Sequence, residues 1–299
     1  MQLLGLPSDD LDIALTTTSG HGFAVGFVDY LKTCDIPTTS VGKVAANPDQ
    51  SKHLETGTTR IMGLDCDFVG LRSETYTDSR IPSDVKLGTP LEDASRRDLT
   101  INSLFYNVHS REVEDHTGQG IADLDQKIAR TPLPPSQTFY DDPLRVLRCV
   151  RFASRFDLTI APEVSEAIKD IHIQVSVVSL YVDSRLTVQA ALRTKVSKER
   201  IGIEITKMLQ KRPFHALTVI DSMSLHSSIF TCEGVDPQRD DALHAATILN
   251  RILPSFSVPE CDLILWFGAA LVPFRGLVCK GKKDLPAVSV VLAQGLKVR

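Results

Sequence analysis

No apolar run in this chain approaches the ~20 residues that a membrane-spanning helix needs, and the opening segment has neither the basic region nor the length of a signal or transit peptide. No membrane role is expected. Pairs of the C-x-x-C type are missing as well. The six cysteines, at 34, 66, 149, 232, 261 and 279, lie far apart, which argues against a zinc site or a secreted disulfide framework and favours a reduced intracellular setting. Charge of either sign is not in large excess. A net charge of −4 with pI near 6.1 supplies no whole-chain attraction to nucleic acid. Any such surface must be local, and the candidates are the arginines from 145 to 155 and Lys280, Lys282 and Lys283. Internal repeats and low-complexity tracts are lacking too.

What is present suits two or three compact units: 299 residues with 42% hydrophobic content. The first 130 or so residues read as strands alternating with helices. Leu11 to Thr16 and Asp65 to Leu71 alternate like strands, whereas Phe23 to Leu31 and Arg97 to Tyr106 have helical spacing. Asp78 to Thr89 reads as a mobile loop. Three prolines between Thr131 and Ser136 mark the clearest boundary, because such a stretch continues neither helix nor central strand. Beyond it helices are expected at 143 to 155, 163 to 170, 199 to 210, 213 to 222, 240 to 251 and 260 to 271. Trp266 is expected in the core.

Three motifs carry chemistry. In Asp10-Leu11-Asp12-Ile13-Ala14, side chains two apart share one strand face, so Asp10 and Asp12 converge while Leu11 and Ile13 pack behind them. Two-metal phosphoryl or nucleotidyl transfer needs hard oxygen ligands on a rigid element, and that is what such a pair offers two Mg²⁺ ions. A third carboxylate is expected from a neighbouring strand, with Asp67 the best placed. In the second motif Arg96, Arg97 and Asp98 precede Leu99, Ile101, Leu104 and Phe105. Guanidiniums there can fork onto phosphate oxygens or ribose hydroxyls, and Asp98 can accept from a hydroxyl or orient an arginine.

The third motif is Asp142-Pro143-Leu144-Arg145, continuing to Arg148, Arg151 and Arg155. At about 100° per residue the four arginines fall on one side of a helix, opposite Val146, Leu147, Val150 and Ala153. Like charges in a row repel unless an anion covers them; a triphosphate or an RNA backbone would. Asp142 and Arg145 also match the Watson–Crick edge of cytosine or adenine. The carboxylate accepts from an exocyclic amine, and the guanidinium donates to a ring nitrogen or carbonyl oxygen. Uracil and guanine would set a carbonyl oxygen against the acid.

These motifs, with Lys52-His53-Leu54-Glu55-Thr56, Thr89-Pro90-Leu91-Glu92-Asp93, Arg130-Thr131-Pro132 and Ser197-Lys198-Glu199-Arg200-Ile201, resemble those of the class II tRNA nucleotidyltransferases. These are the CCA-adding enzymes, and the resemblance is strongest to their eukaryotic branch. It spans roughly the first 210 residues. The fold it implies is α+β: a polymerase-β-like nucleotidyltransferase head over 1–132, then an all-α neck over 136–225 and an incomplete body over 226–299. It implies that Asp10 and Asp12, with Asp67, serve two Mg²⁺ ions in catalysis. Asp142 and Arg145 would select CTP and then ATP; Arg97, Asp98, Arg148 and Arg151 would hold sugar and phosphates; and the helix with Glu199, Arg200 and Glu204 would buttress the base-reading helix. Partners would be tRNA, CTP and ATP, with addition of CCA to tRNA 3′ ends in the cytoplasm, nucleus or mitochondrion.

The chain departs from the family pattern in three places. The Gly-Gly-x-x-Arg-Asp segment expected upstream of the metal strand is missing, the tail is short, and Val175 to Gln189 reads as an insertion. A catalytically impaired tRNA-binding fragment and a poly(A) polymerase of the same family are therefore alternatives, with Lys52 to Thr56 favouring CCA addition.

Overall fold

The computed structural model describes residues 2–6, 8, 10–16, 19–44, 55–75, 84–169, 196–232, 234–235, 237, 241–255, 262–280 and 283–298. The expected insertion at 175–189 lies outside the described residues, as do most of Lys52 to Thr56 and residues 78–83. Packing divides the chain into two units, Met1–Arg97 and Asp98–Arg299. The proline-marked boundary expected at 131–136 therefore falls within the second.

In the first unit, strands β1 (Asp10–Leu15), β2 (Gly42–Val44), β3 (Thr56–Ile61) and β4 (Leu64–Gly70) form one sheet in the order β1-β4-β3-β2. β1 runs parallel to β4 with Asp12 opposite Asp67, and β3 is antiparallel to β4 with Gly57 opposite Phe68. The β3–β4 hairpin turns at Met62 and Gly63, both at positive φ (49° and 87°), as a type I′ turn requires. Cys66 and Phe68 alternate with Asp65 and Asp67, so one sheet face is apolar and the other acidic.

Helix α1 (Gly20–Thr33), capped by the Ser19 side chain, covers the apolar face with Ala24, Val28 and Leu31. Phe23, tilted, and Phe27, edge-on, pack against Phe68 with ring centroids 5.4 and 5.8 Å away. Burying Phe68 contributes roughly 1.5–3 kcal/mol. The helix reaches the sheet because Gly20 and Gly57 have no side chains: a Cβ at Gly20 would collide with the Phe68 carbonyl, and one at Gly57 would stand 2.6 Å from Ala24 Cβ.

Two expectations for this region are corrected. Asp84–Leu87 is strand β6, paired with β5 (Arg72–Thr75), and not loop. Its backbone partners are non-local and leave no mark in local composition. Arg97 to Tyr106 is not a helix either. A capping box between Thr89 and Glu92 starts helix α2 earlier, at Pro90–Ser95. The chain then makes a 3₁₀ turn at Thr100–Asn102 and enters β7 (Phe105–Asn107), which pairs with β8 (Glu112–Glu114). Helix is refused because the Asp98 side chain takes the Leu99 N–H at 2.9 Å and the Thr100 N–H goes to the Arg130 carbonyl.

The second unit continues through α3 (Gly120–Asp125), β9 (Ile128–Ala129), α4 (Pro135–Asp141), α5 (Leu144–Phe156), β10 (Thr159–Ile160) and α6 (Pro162–Lys169). It goes on with α7 (Lys198–Leu209), α8 (Pro213–Ser222), α9 (His226–Ile229), α10 (Ala242–Ile252) and α11 (Asp262–Ala270). The six helices expected beyond the prolines form within two residues of their expected ends. One core runs through them: Val146, Leu147, Val150 and Ala153 of α5 meet Ile201, Ile205 and Met208 of α7, Ala216 and Ile220 of α8, and Trp266 of α11. α5 stops at Asp157 in the left-handed conformation (φ 60°).

The wide cysteine spacing argued against a secreted disulfide framework, yet Cys232 and Cys279, 47 residues apart, are disulfide-bonded. Folding brings them together, and their spacing carried no sign of it. No described helix is long and apolar enough to cross a membrane.

The close approach at α1 makes a stability prediction. Gly20→Ala should lower the urea unfolding free energy by about 1–3 kcal/mol, because the backbone it meets cannot give way as a side-chain tip could. A loss below about 0.3 kcal/mol would show that the helix–sheet contact is looser than described.

Candidate functional site: an acidic sheet face and a braced arginine helix

On the open face of the first unit's sheet, the β1–β4 register sets Asp12 beside Asp67 and Asp10 beside Asp65. Adjacent strands lie about 4.8 Å apart, so four carboxylates form a two-by-two array. Arg60 of β3 reaches one of them, Asp65, at 3.2 Å. The result is visible at Asp67, whose carboxyl is held above the usual aspartate range by partial burial and by the charges of Asp12, Asp10 and Asp65. Asp65 was not singled out from sequence, although Asp65-Cys66-Asp67 repeats the spacing of Asp10-Leu11-Asp12. Among the described residues no three His, Cys, Asp or Glu side chains converge as a ready-made metal cage.

The same unit carries a compact charged knot at the end of α2. Asp93, 2% exposed, receives Arg96 on Oδ1 (Nε 2.9 Å, Nη2 2.5 Å) and Arg97 on Oδ2 (Nε 3.0 Å, Nη2 2.8 Å). Its Oδ1 also accepts the Arg72 backbone N–H at 3.0 Å, and Arg96 turns its other nitrogen to Glu74 at 3.1 Å. Burial alone would raise the Asp93 carboxyl, but the Arg96 and Arg97 guanidiniums hold it below its ordinary range.

In the second unit the arginine row differs from expectation. Arg145 and Arg151 are buried to 8% exposure, and two members of the row, Arg148 and Arg151, pair with the protein's own carboxylates. Arg148 Nε donates to Asp98 Oδ2 at 2.6 Å, and Arg151 Nε donates to Glu204 Oε2 at 2.5 Å. Arg145 Nη1 lies 3.4 Å from the Thr138 carbonyl, and Arg155 sits over the Phe156 ring. The physical reason is desolvation, because a buried guanidinium without a partner costs several kcal/mol. Asp98 is likewise committed, accepting from the Leu99 N–H and Asn102 Nδ2 on its other oxygen.

Asp142, between α4 and α5, is the more accessible carboxylate, with its side chain 18% exposed. Its Oδ1 accepts the Leu144 N–H at 3.1 Å, and its Oδ2 accepts from Arg200 of α7 at 3.2 Å. Two ion pairs, Arg200–Asp142 and Arg151–Glu204, thus tie α7 to α5. Cys149, sealed inside α5, is inert: burial, and to a lesser degree Asp98, push its thiol up to about 12.

Comparison with known proteins bears on this arrangement. Residues 2–130 match the poly A polymerase head domain. The mitochondrial CCA tRNA nucleotidyltransferase of Saccharomyces cerevisiae is 48% identical over 275 residues, covering 85% of this chain and 47% of the relative. A tRNA nucleotidyltransferase of Schizosaccharomyces pombe is 40% identical over 316 residues, covering 100% of this chain and 62% of the relative. The chain thus spans about half to three-fifths of the length of these curated relatives. A solved tRNA nucleotidyltransferase, complexed with a primer tRNA and an incoming ATP analogue, superposes with a TM-score of 0.62 at 19% identity over 92% of this chain and 69% of the other. That likeness shows the fold: a polymerase-type head followed by helical domains.

The buried pair gives a sharp test of the bracing. Glu204→Ala, which strands the Arg151 charge, should cost about 3–5 kcal/mol in urea unfolding, whereas replacing both partners with apolar residues should be close to neutral. Equal losses from the single and double changes would mean that packing, not charge pairing, holds α7 against α5.

Proposed function

We propose that this chain, which is 40–48% identical to tRNA nucleotidyltransferases over 85–100% of its length and carries a match to the poly A polymerase head domain, adds CCA to tRNA 3′ ends, taking CTP and ATP without a nucleic-acid template. The observation that carries this reading is the in-register acid array of β1 and β4. The tRNA 3′ hydroxyl would attack the α-phosphorus of the nucleotide as the bond to the β-phosphate breaks. Pyrophosphate leaves, and the hydroxyl proton passes to solvent.

The family is generally metal-dependent, and the donor set fits Mg²⁺. It consists of hard oxygens, and at Asp67 partial burial first and then the charges of Asp12, Asp10 and Asp65 hold the carboxyl high, a repulsion that a divalent cation relieves. Mg²⁺ commonly takes one or two carboxylates together with water and substrate phosphates, so no complete protein cage is needed. Asp10, Asp12 and Asp67 would hold two ions, which when bound neutralise phosphate charge and lower the pKa of the attacking hydroxyl.

The remaining roles fall to this chain's own side chains. Asp142, fixed by Arg200 and the Leu144 N–H, accepts from the exocyclic amine shared by cytosine and adenine, and Arg145 donates to the adjoining ring acceptor. Arg97 and Arg148 retain about a third of their side-chain surface (33% and 37%) and serve phosphate and ribose. Asp98 orients Arg148. Arg151, enclosed with Glu204, braces the helix without meeting the nucleotide. The setting is intracellular, where tRNA is found.

Incubating the purified chain with Mg²⁺, labelled CTP or ATP, and tRNA lacking its 3′ end tests the proposal. Incorporation of C, C and A is expected. Long A tracts would indicate poly(A) synthesis, which the shared head domain keeps in view, and binding without incorporation would indicate an inactive fragment. Asp12→Ala should cut incorporation by about 10²–10³-fold or more while tRNA affinity changes little, since the carboxylate serves metal and not RNA. Persisting incorporation would refute the metal assignment.

A further inference from the structure

The knot around Asp93 is more than a helix end. Three guanidiniums, Arg72, Arg96 and Arg97, gather around two carboxylates, Asp93 and Glu74. Arg72 Nε is the one buried side-chain polar atom among the described residues without a hydrogen-bond partner. Asp93 is the hub. It sits at the start of the last turn of α2, its i+3 and i+4 neighbours both fold back side-on onto it, and it holds β5 through the Arg72 N–H. A guanidinium gripped through Nε and Nη2 has little rotational freedom left, so its remaining edge is aimed. Arg97 is gripped in this way and still shows a third of its side chain to solvent.

We propose that Asp93 is the positioning residue of the nucleotide's phosphate clamp: it fixes Arg97, supported by Arg96, in the orientation that meets the triphosphate. This rests on the nucleotidyl-transfer reading above and adds to it a residue that never touches substrate. Asn at 93 cannot hold two guanidiniums, so the orientation is lost while the base-reading pair, carried by the other unit, is untouched. The defect therefore scales with phosphate and not with base.

The test uses the full chain with Mg²⁺, titrated with CTP and separately with cytidine and followed by NMR. Asp93→Asn should weaken CTP binding by about tenfold or more and leave cytidine within about twofold. In an Arg97→Ala background the same change should add almost nothing, because its route is already cut. Equal weakening of CTP and cytidine, or losses that simply add with Arg97→Ala, would overturn the proposal. Should Asp93→Asn fail to fold by circular dichroism, Asp93→Glu keeps the buried charge and displaces the oxygens by one methylene. It should lose CTP affinity several-fold without losing structure, and unchanged affinity there would equally refute the role. A wild-type chain that binds no CTP would instead sink the functional reading itself.

Discussion

The register between two parallel strands governs the head of this molecule. With Asp12 opposite Asp67 and Asp10 opposite Asp65, every second residue of β1 and β4 presents a carboxylate to one face, and the residues between them, Cys66 and Phe68 above all, anchor the sheet to α1. A slip of one position would bury the acids and expose the anchors. The apolar contacts to Phe23, Phe27 and Ala24 that fix the sheet on its helix therefore also fix where charge gathers on the opposite side. Folding and chemistry here are two faces of a single alternation.

The second unit meets a different constraint. Helix α5 carries arginines whose guanidiniums are partly or wholly taken out of water, and a buried charge needs a partner. Asp98 answers Arg148, and Glu204 answers Arg151. Because Glu204 and Arg200 stand one turn apart on α7, a single helix both neutralises the interior of α5 and holds the Asp142 carboxylate at its N-terminal end. The position of the Asp142 carboxylate is thus coupled to the satisfaction of buried charge.

Much of this was legible in the sequence, and the misses have physical causes. Periodicity located β1, its neighbour β4 and the six later helices, because amphipathic spacing is a local signal set by burial. It failed at Asp98 to Phe105, where a side chain captured a backbone N–H that a helix would have used, and at Asp84–Leu87, where strand pairing was supplied from elsewhere. Helical spacing set the arginines on one face but cannot say that the carboxylates pairing with Arg148 and Arg151 come from residues 50 or more positions away. Asp93 stood in the sequence only as the last residue of the Thr89 to Asp93 motif, because its contacts depend on two arginines bending back onto it. The Cys232–Cys279 link left no trace at all in spacing.

Gly202 shows how far such coupling extends. It lies on α7 between Arg200 and Glu204, and a side chain there would run into the carbonyl of Leu296. The helix that holds Asp142 through Arg200 is accordingly clasped from behind by chain nearly a hundred residues downstream. The seat of that carboxylate is in this way tied to a backbone crossing remote in sequence, where the one amino acid tolerated is the smallest.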